Sequence, residues 1–225
     1  MKTGVSRLDR LLALVFPQRC LLCGRITIGG QRVCERCLKE NPPRTLFSRV
    51  DDGESDFSKP VFCVSACRYG GTVRRQLLRY KFKGRQEKAV GFSQAILITL
   101  PPGWQTVDLV TWCPISKERY QERGYDQSEL LARRIGRKLG APCHKLLEKI
   151  KDNCPQMKLN ARERRLNVIG AYRVSFPEEK IMGKRILLID DIVTTGATLW
   201  ECVKCLQRAG AAEVLCATVA ATRKE

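Results

Sequence analysis

RILLIDDIVTTGATLW (residues 185–200) sets an unbroken aliphatic run, 186–189, directly against the paired acids Asp190 and Asp191, followed by Thr194, Thr195, Gly196, Ala197 and Thr198. A short continuous apolar run reads as a strand buried on both faces. A carboxylate pair at its end costs free energy unless something uses the charge. In an open parallel sheet, ligands bind beyond the carboxyl ends of the strands, where the next helix starts. Each carboxylate there can accept two hydroxyl hydrogen bonds, which suits the vicinal 2- and 3-hydroxyls of a ribose. The loop 194–198 opens a helix, so its backbone N–H groups form a phosphate cradle backed by the helix's positive end. Gly196 permits close approach and the threonine hydroxyls add donors. Diol and phosphate together describe one ligand, a ribose 5-phosphate. The plainer reading, in which these residues only cap the helix, requires one such residue where the stretch supplies six.

Working outward, 61–69 (VFCVSACRY) reads as a strand, 71–84 as a helix, 91–100 as a second apolar helix and 107–113 as a buried strand stopped by Pro114. The stretch 114–125 reads as a loop. Asp126 with Glu129 three residues on is an N-cap signal for a helix that stops at Gly140. Helix 197–209 and strand 213–220 close the pattern. Strands alternating with helices predict an α/β fold with a mostly parallel sheet flanked by helices.

At the amino end Cys20, Cys23, Cys34 and Cys37 are spaced C-x2-C-x10-C-x2-C, as in two knuckles giving a tetrahedral thiolate site. Four protein thiolates leave no open position, so the expected metal is structural Zn²⁺. The expected organisation is an amino-terminal helix and four-cysteine zinc element over 1–45, a polar linker over 46–60, and the main domain over 61–225. The other cysteines read as small buried hydrophobes, Cys202 and Cys205 on one apolar helix face with Leu199 and Leu206.

With 41 Lys and Arg against 23 Asp and Glu, the net charge of +18 favours a polyanionic partner. Arg74, Arg75, Arg79, Lys81 and Lys83, interleaved with Tyr80 and Phe82, suit single-stranded nucleic acid. The same charges can instead steer a phosphorylated ligand, with Phe82 in the core. No stretch approaches the roughly 20 apolar residues of a membrane span, and the first twenty residues lack an export signal. A soluble protein of the reducing cytoplasm, without membrane insertion, is expected.

ILLIDDIVTTGAT resembles the 5-phosphoribosyl-1-pyrophosphate (PRPP) motif of type I phosphoribosyltransferases. Taken with CLLC…CERC, YGGTVRRQLLRYKFKG, PISKERYQERGYDQSELLAR and PQMKLNARERRLNVIGAYRV, the chain resembles the ComF family of competence-associated proteins along nearly its whole length. The resemblance implies a type I phosphoribosyltransferase-like fold with an amino-terminal zinc ribbon, a link to DNA uptake and its proteins, and no particular acceptor. It implies that Asp190 and Asp191 are the catalytic acids, that 114–124 meets the pyrophosphate of PRPP through Lys117, Arg119 and Arg123, and that Mg²⁺ accompanies the ligand. Two functions follow as expectations. One is phosphoribosyl transfer in nucleotide metabolism; the other is a non-catalytic role in handling single-stranded DNA, with the PRPP pocket as sensor or scaffold. Residues 156–167 read as a mobile flap or a basic surface helix, and His144 as a bystander. At position 126 the resemblance leads to asparagine rather than the aspartate present.

Overall fold

The computed structural model describes residues 17–27, 31–50, 60–151 and 168–222. The expected amino-terminal helix, the 156–167 flap, Cys154 and part of the 46–60 connector lie outside the described residues. The central sheet runs β1-β2-β7-β6-β3. It comprises β1 (Leu46–Arg49), β2 (Phe62–Arg68), β3 (Leu109–Trp112), β6 (Arg185–Val193) and β7 (Glu213–Ala221). All neighbours are parallel except the β1–β2 pair. Two short strands, β4 (Leu147–Lys149) and β5 (Tyr172–Val174), form a separate antiparallel ribbon.

The aliphatic run of β6 alternates between two cores. Leu187 and Ile189 pack with Leu77 of helix α2 (Gly71–Phe82), Phe92 and Ile96 of α3 (Lys88–Thr99) and Leu131 and Ile135 of α5 (Gln127–Leu139). Ile186 and Leu188 pack on the opposite face with Leu199, Val203 and Leu206 of α6 (Ala197–Arg208). A strand buried on both faces must be apolar at every position, which is why this run shows no alternation. Cys202 is fully buried among these residues as expected, and partly buried Cys205 donates to the Tyr172 carbonyl at 3.3 Å. Burial pushes the Cys63 and Cys67 thiols up to about 12, so they pack as neutral groups.

Two sequence expectations need correcting. The 114–125 stretch, read as a loop, contains helix α4 (Lys117–Arg123), capped by Ser116 and ended by Gly124 in the left-handed region at φ +73°. The start of the 46–60 connector is β1, an edge strand with Leu46 buried and Phe47 edge-on to Trp104 at 6.2 Å. A four-residue strand with one buried apolar side chain carries no periodic signal and is held by its non-local pairing to β2.

Nor is the cysteine knuckle self-contained. Cys20, Leu22, Val33 and Cys37 belong to the same buried cluster as Phe92 and Ile96. Helix α1 (Glu35–Glu40), which carries the last cysteine, docks onto the start of α2. There Glu40 accepts from the Thr72 hydroxyl and Arg36, and Asn41 exchanges two hydrogen bonds with the backbone of Arg68.

Candidate functional site

Strand β6 pairs with β3 as far as Ile189 but with β7 as far as Val193, so its last four residues extend past β3. The space left there is a cleft of about 860 Å³, within the usual range for small-ligand sites. Asp190 and Asp191 line its floor, and Thr194, Thr195, Gly196, Ala197 and Thr198 form one end at the start of α6.

Gly196 is required twice over. Its φ is +82°, and a Cβ there would sit 3.1 Å from the Val50 Cα and 3.2 Å from its Cβ. The first turn of α6 opens on the cleft, where the Thr195 hydroxyl accepts from the Ala197 amide at 3.4 Å. Helix amino termini are where anions commonly bind.

The two acids are held differently. One oxygen of Asp190 accepts from the Ser128 hydroxyl at 2.9 Å and from the Asp191 amide at 2.8 Å. Asp191, 3% exposed, pairs with the ammonium of Lys81 at 2.8 Å. Burial, and next the Asp191 charge, raise the Asp190 carboxyl to about 7 against the opposing pull of Lys81.

Of the basic residues expected at the pyrophosphate, Arg119 and Arg123 line the cleft, whereas Lys117 is exposed and does not. Arg123 donates to Gln127 at 2.8 Å and lies over the Phe82 ring at 4.9 Å. Of the residues expected to meet nucleic acid, Arg74 and Lys81 line the cleft, while Arg75 and Arg79 of α2 and Lys83 just past its end are exposed. His144 stacks on Phe176, away from the cleft lining. Sequence reasoning missed the contacts of Ser128 and Lys81, because each joins β6 from a distant helix and leaves no local pattern.

Asp126 also has a physical account. Its carboxylate accepts from the Ile115 amide at 3.0 Å and from the Ser128 and Glu129 amides at 2.9 and 3.2 Å. It thereby ties the segment before α4 to the start of α5. An acceptor-only group suits three N–H donors, whereas asparagine would set an amide donor against one of them. Burial nonetheless raises this carboxyl to about 6.

These raised carboxyls set a pH dependence. The folded state binds protons more tightly than the unfolded chain, so their contribution to stability is fully present below the unfolded value near 4. It is lost as pH rises through the folded values near 6 and 7. Asp190→Asn should therefore gain stability relative to the unsubstituted protein as pH rises from 5 to 8, by about 1 kcal/mol or more. Urea unfolding across that range measures the difference; a constant offset would contradict the assignment.

At the amino end the Sγ atoms of Cys20, Cys23, Cys34 and Cys37 lie within 4.8 Å of one another, with Cys23 and Cys34 3.6 Å apart. A tetrahedron with zinc–sulfur bonds of about 2.3 Å has edges of about 3.8 Å, so the cluster fits the ion. Gly24, at φ +78°, returns its amide to the Cys20 carbonyl at 2.9 Å, and the Cys34 amide points to the Cys20 sulfur at 3.4 Å. Burial raises the Cys20 thiol, but amides of the knuckle turns outweigh it and bring the group to about 7, whereas burial leaves the Cys23 and Cys37 thiols raised.

Comparison with known proteins agrees with this geometry. Residues 127–225 match the phosphoribosyl transferase domain family, and residues 11–46 the double zinc ribbon domain family. The chain is 29% identical to the DNA utilization protein YhgH of Escherichia coli (strain K12) over 224 residues, 95% of this chain and 88% of that protein. It is 33% identical to the competence protein ComFC of Bacillus subtilis (strain 168) over 145 residues, 64% of this chain and 57% of that one. Among solved structures, the glutamine PRPP amidotransferase of B. subtilis complexed with ADP and GMP overlaps 62% of this chain and 26% of its own. That match is loose, at 21% identity and a TM-score of 0.37. Sheet order, cleft and cysteine cluster define a phosphoribosyltransferase-type domain carrying a zinc ribbon. These relatives and the two domain matches are consistent with the ComF family. Its region 11–46 contains four cysteines, enough for one thiolate site. Among the described residues, no helix is long and apolar enough to cross a membrane.

Proposed function

We propose that this chain binds PRPP and transfers its phosphoribosyl group to an acceptor, with pyrophosphate as the leaving group. The observation that carries the reading is the presence in one cleft of the two β6 carboxylates, the α6 amino-terminal loop and the guanidinium groups of Arg119 and Arg123. Asp190 and Asp191 accept the ribose hydroxyls and the 194–198 loop takes the 5-phosphate. Arg119 and Arg123, on the β3 side, face the pyrophosphate.

As the bond from carbon 1 to the pyrophosphate oxygen breaks, its electron pair leaves with pyrophosphate. The acceptor's lone pair forms the new bond, and any proton on the attacking atom passes to solvent. The chain's contribution is to fix the sugar's orientation and stabilise charge on the leaving group. Mg²⁺ supplies further charge neutralisation on the pyrophosphate, and the oxygen donors of Ser116, Glu118 and Glu122 beside it suit a hard cation. The setting is a reducing cytoplasm, in nucleotide metabolism or DNA uptake.

Calorimetry with PRPP and Mg²⁺ tests the binding. Asp191→Asn should weaken it about 30-fold or more, the scale of a lost charged acceptor. A pyrophosphate-release screen over nucleobases and single-stranded DNA then tests transfer; binding without release from any acceptor would remove the enzyme reading.

A second reading rests on the exposed Arg75, Arg79 and Lys83 outside the cleft, and on relatives whose names refer to DNA utilization and competence. In it the chain handles single-stranded DNA, alone or with DNA-uptake proteins, and the PRPP cleft acts as sensor or scaffold. It requires steeply salt-dependent DNA binding that Arg79→Glu with Lys83→Glu weakens and Asp191→Asn leaves alone.

A further inference from the structure

We propose that Lys81 is a positioning residue of the ribose site, whose ammonium, delivered by α2 onto Asp191, keeps the adjacent acid pair available as charged acceptors. This rests on the reading of the two acids as acceptors of the ligand's diol. The sequence offered Lys81 as one of several surface cations for nucleic acid. The structure instead places its Nζ 2.8 Å from an Asp191 oxygen, with the two side chains 20% and 4% exposed.

Adjacent carboxylates repel, and one of a close pair readily keeps a proton. A protonated acid donates one hydrogen bond where the diol needs an acceptor. A cation fixed against the pair lowers that tendency, and Lys81 is suited to fix it because α2 is anchored at both ends. Its first turn is tied to α1 through Thr72 and Glu40. Near its last turn the Tyr80 hydroxyl donates to the Gln127 carbonyl at 2.7 Å, and the Tyr125 hydroxyl donates to the Tyr80 carbonyl.

The other groups facing the pair do not replace it. Asp190 meets the Ser128 hydroxyl of α5 and Asp191 on its own strand. Around Asp190 also lie the Cys63, Cys113 and Cys216 thiols and the Tyr172 phenol, all held neutral by burial. Asp191 feels Arg123 of α4 and the buried Tyr80 phenol. Arg123 is engaged with Gln127 and Phe82.

Ribose 5-phosphate, which carries diol and phosphate without pyrophosphate, is the probe. Its affinity is measured by calorimetry from pH 6 to 9 for the unsubstituted chain, Lys81→Met and Lys81→Arg. Lys81→Met should bind about tenfold more weakly at pH 7, the equivalent of one pKa unit, and the deficit should close by pH 9 as the acids lose their protons. Lys81→Arg should keep the unsubstituted profile. A deficit equal at every pH would make Lys81 a direct ligand contact or a purely structural residue, and no deficit would remove its role; either overturns the proposal.

Carbon NMR titration of the Asp190 carboxyl, whose proton Lys81 disfavours, reads the same shift without ligand. It must show a higher midpoint in Lys81→Met, or in Lys81→Gln should the methionine variant not fold. An unchanged midpoint overturns the proposal. Failure of the parent reading looks different: the unsubstituted chain itself would bind neither ribose 5-phosphate nor PRPP, whatever the carboxyl titration shows.

Discussion

Gly91→Ala will push the zinc ribbon off the body of the protein. Gly91 lies on α3 where Leu21 of the first knuckle crosses it, and an added Cβ would sit 2.0 Å from the Leu21 carbonyl oxygen and 2.8 Å from its carbon. Backbone cannot swing aside as a side-chain tip can. Leu21 is further held by the hydrogen bond its amide donates to the Arg32 carbonyl at 2.9 Å and by its place between Cys20 and Cys23. Either the knuckle shifts as a unit or α3 distorts, and the buried contacts of Leu22 and Cys20 open with it. The expected loss is about 3 kcal/mol or more, the range of severe overpacking. Thermal unfolding with amide hydrogen exchange over 20–41 measures it. Gly103→Ala, whose added Cβ meets nothing within 4 Å, is the matched control. A Gly91→Ala protein melting with the control would show that ribbon and body do not pack as described.

Loss of the metal site is the second large effect. Cys37 is 1% exposed and its sulfur lies inside the tetrad. Cys37→Ser leaves three thiolates and a buried hydroxyl, and structural zinc commonly supplies the folding free energy of the piece that holds it. Because Cys20, Leu22, Val33 and Cys37 share a core with α3, the damage should not stop at the ribbon. Both Cys37→Ser and zinc removal by a chelator should lower the melting temperature of the whole chain by on the order of 10 °C. The unsubstituted protein should carry one zinc per chain. PRPP affinity should fall as well, since Glu40 of α1 anchors the helix that presents Lys81. Metal analysis, melting curves and calorimetry on the same samples decide it. A metal-free protein with unchanged melting would refute a structural role for zinc.

What the sequence made legible was whatever local chemistry sets. The β6 run, the 194–198 loop and its glycine could be read because strand burial, positive φ and helix-terminal N–H groups constrain residues within one short window. The Asp126 cap and the Gly140 stop of α5 were legible for the same reason, and so were the two cysteine knuckles. What was missed depends on partners far along the chain. β1 is a strand because β2 pairs with it, and β4 because β5 does; neither is long enough to show a period. α4 is seven residues that a serine cap and a closing glycine hold in place. Lys81 looked like one surface cation among several, because nothing in its own helix says that Asp191 waits at the other end. The same non-local packing joins the cysteine knuckle to the body: its apolar residues are too few to form a core alone and complete one with α3.

The sheet order has a consequence for biosynthesis. β7 lies between β2 and β6 but follows both in the chain. While the polypeptide is being made, the two strands that flank this slot present unpaired edges and aliphatic faces with nothing between them. The slot fills after residues 213–221 have emerged from the ribosome, so the sheet closes late and all at once. A nascent chain of this design should therefore rely on chaperones that shield open strand edges, more than one whose middle strand is translated early.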